Sequence, residues 1–185
     1  MNDKSMNSPE FSLRGALKDV ATVSETGKSL KRLTEGVVIR KLTTHVDERG
    51  SVAELFDERW GYPDPLTFSY MCTIRPGIVK GWGLHEKHED RYVFLEGEMQ
   101  LLLYDVRPHS STYGELCIIN LSEYDRCLIN IPTYVWHADY NFGSKDAVII
   151  NFPTAPFNHA APDKLRLPID TDLIPHRFPQ SVRGG

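Results

Sequence analysis

From residue 36 to residue 152 the chain spells one short apolar run after another. VVIRKL, SVAELF and LTFSYMCTI are divided by the turn signals DERG, YPDP and RPG. RYVFLEGEMQLLLYDVR is two apolar segments joined at Glu96-Gly97-Glu98, which is hairpin spelling. ELCIINL, CLINI, VWHADYNF and AVIINF follow. Runs of this kind returning at intervals of roughly ten residues predict an all-β sandwich or barrel rather than βαβ units. After Pro153 the sequence turns proline-rich, and such a segment cannot join a central ladder. It is expected to wrap an edge or close over a mouth.

The first 33 residues have a different texture. Residues 1–10 are polar, and Leu13, Leu17, Val20, Val23, Leu30 and Leu33 carry a loose helical spacing broken by Gly27. The expected division is an N-terminal arm or short helix over residues 1–33 and a β domain over residues 34–180. At 185 residues, 41% of them hydrophobic, one domain with a sizeable core is the economical reading. The formal net charge of -4 argues against nucleic acid, which needs a basic face to neutralise phosphates. The three cysteines (Cys72, Cys117 and Cys127) have no CxxC spacing, which points to a reducing compartment. No signal pattern and no apolar run near ~18 residues is present, so a cytoplasmic protein that does not enter membranes is expected.

Chemistry concentrates in residues 81–97, GWGLHEKHEDRYVFLEG. His85 and His88 stand among Glu86, Glu89 and Asp90 at the head of an apolar strand, whose body can hold them rigid. The glycine-rich turn, His85, Asp90 and Gly97 resemble the first motif of the cupin class. Pro132, His137 and Asn141 in IPTYVWHADYN resemble the second, with Tyr134 where a glycine is more usual. The resemblance implies a double-stranded β-helix, the jelly roll. It also sets His85 and His137 on one interior face. One chemistry for that face is a metal held by His85, Asp90 and His137, although Gly83 stands where many cupins add a histidine. The other is metal-free proton abstraction by a histidine that a carboxylate orients.

The order DERG, SVAELF, GLH, LEGEMQLLLYDVR, SSTYGE and IP...WH resembles the dTDP-4-dehydrorhamnose 3,5-epimerase family from about Asp47 to Asp170. That resemblance implies a homodimeric isomerase without a cofactor, acting on a nucleotide sugar. His85 inherits the role of base. Its partner aspartate matches Asp170 in LPIDTD, with Asp163 as runner-up. Asp47, Arg49 and Glu54 match the segment that binds the nucleotide across the dimer interface, and His137 lines the sugar pocket. His88 reads as exposed.

Departures matter equally. The family's catalytic tyrosine falls near Ile149-Ile150, its enolate-stabilising lysine at Asp90, and the arginine before GLH at Trp82. Lys80, Arg91 and Tyr140 stand as substitute ligand contacts. The expected reaction is 3- and/or 5-epimerisation of a 4-keto-6-deoxy sugar nucleotide. A 3,4-ketoisomerase, a metallocupin and a non-catalytic sugar-nucleotide-binding module are the alternatives.

Overall fold

The computed structural model describes residues 15–185, which fall into two units, one ending at Arg32 and the other spanning residues 33–185. Within the described part of the first unit, one antiparallel bridge joins Val23 to Ser29 around a turn in which Gly27 donates to the Ser24 carbonyl. No helix forms over residues 15–32, contrary to the helical spacing. Leu17 and Val20 are exposed, so among the described residues of the unit they bury no apolar face that would repay helix nucleation. Leu13 lies outside the described residues.

The second unit is β throughout, with two single 3-10 turns at Glu58–Trp60 and Glu123–Asp125. The strands are β1 (Val38–Lys41), β2 (Thr44–Asp47), β3 (Gly50–Ala53), β4 (Tyr70–Ile74), β5 (Ile78–His85), β6 (Asp90–Glu96) and β7 (Glu98–Asp105). They continue as β8 (Leu116–Ser122), β9 (Cys127–Ile131), β10 (Val135–Tyr140), β11 (Ala147–Asn151), β12 (Lys164–Arg166) and β13 (Arg183–Gly184). One sheet runs β1-β9-β6-β11-β4, and the other runs β12-β5-β10-β7-β8, with β13 also on β5. Strands β2 and β3 form a separate ribbon. This is the jelly roll expected from the motifs.

Alternation decides what each face carries. On β6, Tyr92 and Phe94 join the main core with Met99, Leu101 and Leu103 of β7 and Ile129 of β9. Their neighbour Val93 packs outward with Leu128 and Phe152. On β10, Val135 belongs to the main core, whereas Ala138, Trp136 and Tyr140 pack on the other side with Trp82 and Phe178. The proline-rich tail therefore wraps an edge. It supplies β12 and β13 to β5 and buries Ile174 and Phe178 against that outer layer.

One irregularity positions the site. On β5, His137 pairs with Gly83 but Ala138 pairs with Gly81, so the register shifts between them. Gly81 has φ of 139°, and a β-carbon there would stand 2.7 Å from Ala138 Cα. A bulge of this kind exchanges the two faces of a strand. That is why Lys80, opposite Asp139, and Gly83, opposite His137, can both look inward although they are three residues apart.

Candidate active site

Asp90 opens β6 and is 2% exposed. Its Oδ1 accepts a 2.6 Å hydrogen bond from Asn151 Nδ2 on the neighbouring strand β11, and that amide also donates to the Tyr70 hydroxyl at 2.9 Å. Asp90 Oδ2 has no hydrogen-bond partner among the described residues. It lies 3.4 Å from His85 Nε2 and 3.5 Å from His137 Nε2. The ring planes of His85 and His137 are nearly parallel, with centroids 5.6 Å apart.

The far side of His85 meets the C-terminal tail. Strand β12 pairs with β5 so that Lys164 faces His85, which sets the preceding Asp163 beside the same histidine. Asp163 Oδ2 is 3.6 Å from His85 Nδ1 and 3.0 Å from His88 Nδ1. Asp163 also accepts from the Lys87 amide at 3.1 Å, which ties the tail to the loop after β5. The first-choice partner, Asp170, is not there. Backbone bonds to β5 end with the pair between Leu167 and Trp82, and Asp170 follows in an exposed turn. His88 corrects a second expectation. Its side chain is 10% exposed and its ring centroid lies 4.0 Å from that of His85.

Burial sets the protonation states. Desolvation carries the His85 imidazole down to about 4; the neighbouring His88 and Lys164 push the same way, against the attraction of Asp90. His137 falls to about 3 for the same first reason. Asp139, 5% exposed on the same face of β10 as His137, is pushed up by burial to about 7. Burial also raises the Tyr70 and Tyr92 phenols, keeping both as hydrogen-bond donors at neutral pH.

His85 and His88 line a cavity of about 280 Å³ with Tyr70, Lys164 and Arg166. The last three also border a second cavity of about 300 Å³, whose other walls include Lys80, Tyr92, Asp139, Ile149 and Asn151. A larger hollow of about 490 Å³ near Trp60, Tyr62 and Arg91 contains none of these histidines.

The structure thus brings together His85, His137 and Asp90, and sets Lys80 in the adjoining chamber. It separates the other expected contacts. Arg91 points out of the barrel, where its guanidinium donates to the carbonyls of Phe152, Asp64 and Pro65. Tyr140 also faces outward, its ring 5.8 Å from that of Phe178. Alternation is the reason in both cases: Asp90 and Asp139 take the inner positions next to them. Arg49 sits on the exposed turn of the β2–β3 ribbon, its guanidinium 2.5 Å from Asp47, and Glu54 is exposed just beyond.

Tyr70, Tyr92, Asp139, Asn151, Asp163 and Lys164 were not chosen from the sequence as primary contacts. A period-two reading from Asp90 gives Tyr92, and one from His137 gives Asp139; nothing local marks Lys164. The ligand atoms of His85, His88 and Asp90 lie within 4.8 Å of one another. These three are able to hold a divalent cation, with Asp163 as the outer carboxylate on His88.

A family profile for dTDP-4-dehydrorhamnose 3,5-epimerase matches residues 32–171. The chain is 33% identical over 150 residues to the "Probable low-salt glycan biosynthesis epimerase Agl13" of Haloferax volcanii, covering 80% of this chain and 96% of that one. It is 33% identical over 142 residues to the spore coat polysaccharide biosynthesis protein SpsL of Bacillus subtilis, covering 77% and 94%. Among solved structures, a dTDP sugar isomerase from Desulfovibrio desulfuricans G20 superposes with a TM-score of 0.72 at 25% identity, covering 78% of this chain and 91% of that one.

Proposed function

The chain belongs to the dTDP-4-dehydrorhamnose 3,5-epimerase family, and from that premise we propose that it epimerises a 4-keto-6-deoxy sugar nucleotide, with His85 as base. The observation that carries this reading is the placement of His85 between two carboxylates on opposite sides of its ring. Asp163 Oδ2 stands 3.6 Å from Nδ1 and Asp90 Oδ2 3.4 Å from Nε2, so the two carboxylates orient the ring from both sides. Burial keeps the imidazole uncharged at neutral pH. A neutral imidazole takes a proton from the carbon beside a ketone, giving imidazolium and an enolate, and a proton delivered by a donor on the opposite face restores the ketone with that carbon inverted.

Ile149 occupies the wall where the family carries its tyrosine, so the reading favours inversion at one carbon. The β2–β3 ribbon supports a homodimer. It stands apart from both sheets with Val46 and Val52 exposed, 77% and 69%, and carries Arg49 at its tip. Across a two-fold axis those valines would find cover, and Arg49 would reach the nucleotide of the partner's pocket. A cytoplasmic setting agrees with three thiols outside any disulfide. Among the described residues no helix is long and apolar enough to cross a membrane.

Incubation with a panel of 4-keto-6-deoxy nucleotide sugars in deuterated water, followed by NMR, tests the proposal. Deuterium entering at one carbon next to the carbonyl is the expected result. Tight binding with no incorporation across the panel would identify a binding module instead.

A further inference from the structure

We infer that Lys164, delivered by the C-terminal edge strand, is the cation that stabilises the enolate oxygen in this pocket, and that Gly83 is a glycine so that the ammonium can enter. The inference rests on the proton-transfer reading and adds a catalytic residue to it.

The geometry around Gly83 is the first support. Gly83 faces His137 across the β5–β10 ladder. A β-carbon built on Gly83 would overlap Lys164 Cε and would lie 2.8 Å from Lys164 Nζ and 3.3 Å from His137 Nε2. The lysine side chain therefore lies across the glycine, with its ammonium directed at the histidine pair. Any side chain at residue 83 would take that space.

Surroundings give the second support. Lys164 and Tyr70 border both the chamber lined by His85 and the chamber lined by Asp139. The ammonium favours the charged forms of Asp90 and Asp139 and opposes protonation of His85 and His137.

Elimination gives the third. Proton removal from the carbon beside a ketone leaves negative charge on the carbonyl oxygen, which a donor must meet. Asp90, on the strand that could have offered a cation, is a buried carboxyl and would repel that charge. Arg91 is spent on three backbone carbonyls outside the barrel. Lys80 faces Asp139 and does not border the His85 chamber. Arg166 also borders the His85 chamber but is exposed, and of the two cations on β12 the half-buried Lys164 is the one paired with His85.

The step balances without a co-reactant. His85 Nε2 takes the proton, the C–H electron pair becomes the C=C bond, and the carbonyl π pair moves to oxygen, where a Lys164 N–H donates to it. Return of a proton to the same carbon restores the ketone and releases the oxygen from the Lys164 N–H.

The test compares wild type with Lys164→Met, Lys164→Ala and Gly83→Ala, measuring deuterium exchange into the nucleotide-sugar panel and, separately, calorimetric binding of dTDP. Lys164→Met should lose about 10²–10³-fold in exchange rate while dTDP affinity stays within a few-fold. Gly83→Ala, with the lysine displaced but present, should fall in the same direction. Millimolar ethylammonium should restore part of the Lys164→Ala rate in a saturable way, which a structural role would not allow. Near-wild-type exchange by Lys164→Met, or an alanine variant that no amine revives, would overturn the inference and leave the epimerase reading standing. A wild-type protein that exchanges no hydrogen on any panel member would overturn both.

Discussion

Asp163 Oδ2 lies 3.6 Å from His85 Nδ1 because β12 pairs with β5 one residue later, Lys164 against His85. A carboxylate in that position orients the imidazole, so its removal should act on turnover rather than on binding. Asp163→Asn is expected to lower kcat by about 10²-fold, since orientation of the base contributes on the scale of general-base catalysis. Asp170→Asn should change kcat less than twofold. Steady-state kinetics on the two variants check this, and equal losses would restore Asp170 as the partner.

Tyr70 offers the next test. Its hydroxyl accepts from Asn151, which leaves its own proton directed elsewhere, and Asn151 ties it to Asp90 across β11. It pairs with Asn151 on the strand neighbouring Ile149, where the tyrosine of the related enzymes is missing. If this phenol returns the proton to the second face, Tyr70→Phe should retain hydrogen exchange at the reacting carbon and lose inversion by about 10²-fold. NMR that follows deuterium content and epimer ratio in one sample separates the two effects. Unchanged inversion would remove Tyr70 from the reaction.

The jelly roll was legible because apolar runs and turn signals are local, and the two histidine motifs were legible because their spacings are fixed by hairpins. The site was less so, and for a physical reason. Asp163 and Lys164 reach His85 through a strand pairing between residues nearly eighty apart, and their own neighbourhood, PDKLRL, carries no mark of it. Arg91 and Tyr140 lie outside the histidine pocket, which motif position read without strand parity did not reveal; each stands next to the residue that faces inward. His88 defeated a loop reading. The turn after β5 folds back, and Asp163 holds the ring against His85.

The pH profile follows from the burial of His85. An ordinary histidine base would lose activity below about 6.5, where it protonates. Here the imidazole is carried down to about 4, so the active neutral form persists to lower pH. The acid limb of kcat/KM should therefore bend near pH 4, not near 6.5. The same shift bears on stability with the opposite benefit. The unfolded chain binds the His85 proton more readily than the folded one, so folding stability falls as pH drops below about 6.5. Stopped assays with brief exposure to acid keep the two effects apart, and a bend near 6.5 would show that another group controls the rate.

Chelation asks whether the cluster of His85, His88 and Asp90 acts on protons or on a cation. For the proton-transfer reading, exchange activity should survive exhaustive dialysis against a strong chelator. Added zinc should inhibit, because coordination takes the Nε2 lone pair that abstracts the proton. His88→Ala should relieve that inhibition by removing one of three ligand atoms. Activity lost on chelation and regained with one equivalent of metal would reverse the assignment.

Arg91 separates stability from recognition. Its guanidinium is 1% exposed, donates to the carbonyls of Phe152, Asp64 and Pro65, and stands 5.1 Å over the Phe56 ring. Those bonds fasten the segment before β4 to the outer face of β6. Arg91→Met fills similar volume but leaves three buried or half-buried carbonyls without that donor, at about 1–3 kcal/mol for each group fully buried. The expected result is a loss of roughly 3 kcal/mol in urea unfolding, with KM for the nucleotide sugar unchanged in the folded fraction. A raised KM with wild-type stability would put the arginine back in the pocket, against the parity of β6 that places Asp90 and Tyr92 inside.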